Sequence, residues 1–267
     1  MEVCETQLTL HGVELDLSYL RRSGTGTPLL CLHGFGSTKE DYADLGFRTD
    51  FDGRELIFVD APGFGASSIS DASALSIPFL VDTAIAFCDQ IGVSRFHLSG
   101  HSMGGLTALL LAHQNPDRVA SFINIEGNVA PEDCFLSRQI VEHPAPTAEA
   151  FLEGFIERVR ARPEYASRLY ALGLRSKLRP SSAPPIFRSM VDLSDNTDLM
   201  TKFAALRCPR LFVHGAQNAH LSYLSALPDY GVEVCEIPHA GHFPMYSNPP
   251  ALWSAMAAFL DKVEASE

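Results

Sequence analysis

The sequence predicts an α/β protein: a mostly parallel, doubly wound sheet with a helical cap inserted after strand 6. Three observations predict it. Short apolar runs bounded by Gly and Pro recur along the chain, as strands covered on both faces require. Helical patterns lie between them, which sets the alternating order of an α/β fold. Over residues 130–204 that rhythm breaks, and helix-like segments follow one another without a clear strand.

Residues 8–19 alternate loosely and read as an antiparallel hairpin. Residues 28–33 form a buried strand that meets a loop at His33-Gly34, and 55–60 repeat that design before Ala61-Pro62-Gly63. Residues 77–91 place Leu80, Ala84, Phe87 and Ile91 on one helix face. Strand 95–100 leads into residues 103–113, apolar nearly all round and therefore a buried helix. It stops at Asn115-Pro116, and 119–125 make the next strand. Within 130–204, segments 148–159 and 188–203 look helical, and seven prolines punctuate the stretch. Strands 209–214 and 232–237 follow, and a proline-led amphipathic helix over 249–263 closes the chain. The expected division is a core of residues 1–129 and 205–267 around a helical cap of 130–204, because long connections in compact domains are usually functional.

Composition narrows the function. The chain has 267 residues, 46% hydrophobic and 19% charged, enough for one large core with a modest insertion. A net charge of −12 opposes nucleic acid and anionic membranes as partners. The expected partner is a small-molecule substrate, with no cofactor and no metal required. Six scattered cysteines lack metal-ligand spacing and read as free buried thiols of a reducing compartment. Residues 1–10 lack the basic and apolar regions of a signal peptide, and no apolar run approaches membrane-spanning length. A cytoplasmic protein is expected.

Gly100-His101-Ser102-Met103-Gly104-Gly105 carries the chemistry. It fits G-x-S-x-G with a strand before it and a buried helix after it, the context of a nucleophile elbow. A sharp strand-to-helix reversal strains the serine backbone and brings its flanking residues too close for a Cβ. Ser102 then sits at a helix N-terminus, where free N–H groups favour negative charge. A structural Gly-Ser turn is the plainer alternative.

With this elbow, the sequence resembles the α/β-hydrolase superfamily. The resemblance includes His33-Gly34-Phe35-Gly36, the stretch from Asp60 to Ser67, and Gly241-His242-Phe243-Pro244 after the last strand. It implies Ser102 as nucleophile and His242 as general base. The backbone N–H of Met103, next to the nucleophile, is one expected oxyanion donor. The resemblance supplies Phe35 N–H as the other, and His33 reads as a residue that holds the loop. His239 precedes a tight turn, His101 is expected to point away from Ser102, and His97 lies within a strand.

The acid is the open question. Many members of the family carry an aspartate after the strand placed here at 209–214, but this loop reads Gly215-Ala216-Gln217-Asn218. Glu126, at the end of strand 119–125, resembles the acid of the haloalkane dehalogenase branch. Asn218 could orient an imidazole but not balance its charge, and Glu126 could merely cap a loop. Dehalogenases and epoxide hydrolases of this fold use an aspartate nucleophile, so Ser102-Met103 implies an acyl-enzyme instead. The expected activity is carboxylic ester hydrolysis on small to medium apolar substrates. Phe135, Phe151, Phe155, Tyr165, Tyr170, Phe187 and Met190 are candidates for the pocket wall. Alternatives are carbon–carbon bond hydrolysis of ketone-type substrates, a lyase or cofactor-free peroxidase activity, and a non-catalytic small-molecule receptor. The sequence leaves the oligomeric state open.

Overall fold

A computed structural model describes residues 1–266. Its sheet has nine strands: β1 (Glu2–Leu10), β2 (Val13–Arg22), β3 (Thr25–Leu32), β4 (Arg54–Val59), β5 (Ser68–Ile69), β6 (Phe96–His101), β7 (Val119–Ile125), β8 (Arg210–Gly215) and β9 (Glu233–Ile237). The order is β1-β2-β4-β3-β6-β7-β8-β9, with β5 beside β2. Pairs involving β2 are antiparallel and the rest are parallel.

The hairpin is longer than the alternation predicts. Its turn, His11-Gly12, has φ of 52° and 81°, both positive as a tight two-residue hairpin turn demands. The chain reaches β4 on one side of β3 and β6 on the other. That reversal opens a crevice at the carboxyl ends of β3 and β6, where open α/β sheets bind ligands.

Helix α1 (Ile77–Gln90) starts at Ser76, whose hydroxyl accepts from Phe79 N–H at 3.2 Å. Helix α2 (Met103–Gln114) is buried continuously from Met103 to Ala112, as its apolar sequence predicts. The remaining helices are α3 (Gln139–Glu142), α4 (Ala148–Arg160), α5 (Ser167–Lys177), α6 (Ala183–Asn196), α7 (Leu199–Ala204), α8 (Pro244–Ser247) and α9 (Pro249–Glu264). No helix among the described residues is long and apolar enough to cross a membrane.

Several expectations need adjusting. The helical insertion follows the seventh strand, because the two-residue β5 adds one. The helix expected over 188–203 is two helices, since Asp198 starts α7 afresh by accepting from Thr201 N–H at 3.0 Å. Helix α5 was not expected. Only Ser167, Tyr170, Ala171 and Leu174 of α5 are buried, a stripe too thin to stand out beside Gly173 and the charged residues. Of the six cysteines, Cys31, Cys88 and Cys134 are buried, while Cys4, Cys208 and Cys235 are half-buried.

Candidate active site

The elbow is strained where the sequence requires it. Ser102 has φ of 51° and ψ of −116°, a conformation L-residues rarely hold. A Cβ on Gly100 would lie 2.2 Å from the Gly104 carbonyl oxygen, and one on Gly105 would lie 2.7 Å from Gly127 Cα. Ser102 N–H is anchored to the Ile125 carbonyl at 3.0 Å, which locks the bend onto β7.

Ser102 Oγ lies 3.0 Å from His242 Nε2, across 140 residues of sequence. His242 Nδ1 faces Glu126 Oε2 at 3.4 Å. The two contacts imply Nδ1–H directed at the carboxylate, with Nε2 free to accept from the hydroxyl. Glu126 also has positive φ, 52°, at the end of β7. Its Oε1 accepts from Gly215 N–H at 2.6 Å, and its Oε2 accepts from the Asn218 amide at 2.7 Å. Both candidates for the acid therefore meet at one point. Glu126 faces the imidazole, and Asn218 holds Glu126.

All three side chains are buried. Burial pushes the Glu126 carboxyl up to about 7, against the pull of Gly215 N–H and Asn218. Burial, then the Arg162 charge, pushes His242 down to about 3. The imidazole is thus neutral at neutral pH, with a lone pair free on Nε2.

The loop after β3 is fixed by His33. Its Nε2 accepts from Ala61 N–H at 2.9 Å, so Nδ1 carries the proton and donates to the Gly34 carbonyl at 2.8 Å. That assignment makes His33 a loop clasp, as the sequence suggests. Asp60 ties the same loops together, accepting from Lys39 N–H and from the buried Lys39 ammonium, both at 2.7 Å. A Cβ on Gly104 would lie 2.2 Å from the Leu32 carbonyl oxygen, so the first turn of α2 packs directly on this loop. Among the described residues, neither Phe35 N–H nor Met103 N–H donates to a protein atom. Met103 is the first residue of α2, where amides lack an intrahelical acceptor.

His101 makes no side-chain hydrogen bond to Ser102, but it has a partner the sequence did not indicate. Its Nε2 donates to the His242 backbone carbonyl at 2.7 Å, and the two rings are 5.0 Å apart. Position next to Ser102 does not carry that signal; the packing of β6 against the last loop does. His97 bonds Ser121 within the sheet, and His239 sits in an exposed turn with φ of 56°.

A narrow cavity lined by Phe35, Ser102, Tyr170, Phe187, Met190 and His242 reaches the serine. On the outer side of His242 lies a wider cleft of about 680 Å³, including its mouth, bordered by Phe135, Arg162, Asn218 and His220. Of the expected wall residues, Phe135, Tyr170, Phe187 and Met190 line these spaces. Phe151 and Phe155 are core residues packed around Phe187, and Tyr165 is exposed. A third, apolar pocket of about 380 Å³, including its mouth, lies between α1 and α2 and is lined by neither Ser102 nor His242.

Comparison with known proteins agrees with this architecture. Residues 27–199 match the family described as alpha/beta hydrolase fold, and the chain belongs to that family. It is similar to a pimeloyl-[acyl-carrier protein] methyl ester esterase of Aeromonas salmonicida, 29% identical over 250 residues, covering 86% of this chain and 94% of that protein. It is also similar to a dihydrolipoyllysine-residue acetyltransferase component of the acetoin cleaving system of Pseudomonas putida, 26% identical, covering 89% of this chain but 64% of that protein. Among solved structures, a thermophilic esterase from Thermogutta terrifontis superposes with a TM-score of 0.75 at 25% identity, covering 97% and 99% of the two chains. Homologues and structural neighbours alike support a hydrolase.

Proposed function

We propose that the protein is a serine hydrolase that cleaves small to medium carboxylic esters through an acyl-enzyme on Ser102. The observation that carries this reading is the Ser102–His242 contact of 3.0 Å, backed by Glu126 at 3.4 Å. Ser102 Oγ attacks the ester carbonyl while His242 Nε2 takes its proton. The oxyanion is met by the unused N–H groups of Phe35 and Met103. The C–O bond to the alcohol breaks, and His242 returns the proton to the leaving oxygen. Water then attacks the acyl-enzyme, His242 takes a proton from that water, and Ser102 leaves protonated as the acid departs.

Glu126 fills the acid's role, from the strand end used in the dehalogenase branch. It fixes the Nδ1–H tautomer and balances the imidazolium that forms in each step. Residues 130–204 act as a cap. Tyr170 supports this role, because its hydroxyl donates to the Phe35 carbonyl at 2.8 Å and ties the helices to the oxyanion loop. A panel of 4-nitrophenyl esters tests the reading. Wild type should turn over short to medium acyl chains and Ser102→Ala should not; equal rates from both would refute it.

A further inference from the structure

The cleft outside His242 has one permanently charged cation in its wall, Arg162. Its guanidinium lies over the Phe135 ring at 5.4 Å. That ring stands edge-on to the His242 imidazole, with centroids 4.8 Å apart. The positive charge is therefore one aromatic ring away from the proposed base. The backbone is fixed too, since Arg162 N–H donates to the Val159 carbonyl at 3.1 Å, just past α4.

The guanidinium is poorly used by the protein. Its ionic partner is Glu164, whose Oε1 lies 3.3 Å from Nε, long for a charge-assisted bond. Among the described residues, no protein atom accepts a hydrogen bond from either terminal nitrogen of Arg162. Glu164 is unsatisfied as well, with Oε2 buried and unpartnered. The other carboxylate in the cleft, Glu132, is turned away to Ser222, accepting from its N–H at 3.0 Å and its hydroxyl at 2.6 Å. A half-buried guanidinium fork without an acceptor suits a planar carboxylate, which it can bind through two parallel bonds.

We propose that this cleft binds a free carboxylate of the substrate on Arg162, so that the preferred substrates are monoesters retaining a second, ionised carboxyl group. The chemical part of this inference rests on the hydrolase reading; the binding part does not. Occupation of the fork would also help the base. Arg162 helps hold His242 unprotonated, and an arriving carboxylate cancels that charge, making the imidazole a stronger proton acceptor. Glu164 competes for the same cation.

The test compares 4-nitrophenyl hexanoate with mono-4-nitrophenyl adipate, equal in chain length and differing in the terminal carboxylate. Wild type should favour the adipate ester in kcat/KM by about tenfold or more, the scale of one added charge-assisted hydrogen-bonded contact. Arg162→Gln should bring the ratio near one, mainly by raising KM for the adipate ester, and Arg162→Lys should restore part of it. Glu164→Gln should raise the ratio above wild type. A preference for the hexanoate ester, or an adipate preference that survives Arg162→Gln, overturns the proposal. Calorimetry of adipate separates binding from chemistry. Adipate should bind Ser102→Ala and fail to bind Ser102→Ala/Arg162→Gln. No binding to Ser102→Ala overturns the carboxylate site, whereas binding without turnover of either ester by wild type upholds the site and removes only the hydrolase reading.

Discussion

The two sides of the site are built by different physics. On the sheet side, Ser102, Glu126 and the Phe35 loop sit at carboxyl ends of neighbouring parallel strands, with His242 beyond the last. Backbone crowding fixes them: the Gly100–Gly104 approach, the Ser102–Ile125 anchor and the His101 bond to the His242 carbonyl. On the other side, helices α4 to α6 supply the walls mainly through apolar packing of Phe155, Phe187 and Phe35. Their polar ties to the sheet side are local, among them the Tyr170 hydroxyl to the Phe35 carbonyl, Lys177 to Asp41 and Tyr246, and a short backbone bridge in which Gly65 N–H donates to the Lys177 carbonyl and Arg179 N–H to the Gly63 carbonyl. The contrast separates what must be invariant for the chemistry from what can vary with the substrate. Changes on the sheet side should hit kcat, and changes on the helical side should hit KM and selectivity.

The largest effect should come from Ser102→Ala. Removing the nucleophile of such a triad lowers turnover by about 10⁶-fold, with thermal stability near that of wild type. Next is the pair Glu126→Gln and Asn218→Ala. Glu126→Gln leaves the imidazole without its counter-charge and should cost roughly 10²- to 10⁴-fold in kcat. Asn218→Ala removes one donor to Glu126, leaving Gly215 N–H and His242 Nδ1–H, and should cost about tenfold or less. Steady-state kinetics on a fast 4-nitrophenyl ester checks both, and a larger loss from Asn218→Ala would reverse the assignment.

The pH response is a third way to sharpen the contrast. Burial holds His33, His101 and His242 below the ordinary imidazole value of 6.5. The unfolded chain binds those protons more readily, so the stability they contribute is present above about pH 6.5 and is lost as pH falls through it. Glu126 runs the other way. Its raised value favours the protonated folded form, a contribution full below 4.5 and lost as pH rises through about 7. Thermal melts should therefore show Tm falling from pH 7 to pH 5, and Glu126→Gln, which removes the opposing contribution, should make that fall steeper. The acid limb of kcat/KM should lie below pH 6.5, set by His242.

The smallest effect belongs to the helical side. Tyr170→Phe deletes the hydroxyl that ties α5 to the Phe35 loop and should cost about 1 kcal/mol of stability, with a several-fold rise in KM and little change in kcat. A loss confined to kcat would mean that the helices take part in the chemistry itself.

The sequence carried the sheet side well. The Ser102–His242 contact was expected, Ser102 because strain and close approach restrict its turn to a few residue types and His242 from its place after the last strand in the α/β-hydrolase resemblance. Glu126 was a candidate by resemblance to the dehalogenase branch, since the usual later position holds Asn218, and it is the carboxylate that faces His242. The role of Asn218 as a donor to Glu126 was not readable, since it depends on two loops 92 residues apart meeting. His101 and Arg162 escaped for the same reason, as their partners are set by packing. The helical side was blurred because amphipathic patterns mark helices but not their breaks, so α5 was missed and the α6–α7 break was read through.

The central claim is that His242 makes the Ser102 hydroxyl a nucleophile. Intact-mass spectrometry after treatment with a fluorophosphonate tests it most directly. The account predicts one adduct per chain, mapped to the Ser102 peptide, and a labelling rate that collapses in His242→Ala. Labelling at another residue, or at an unchanged rate without the imidazole, would contradict it.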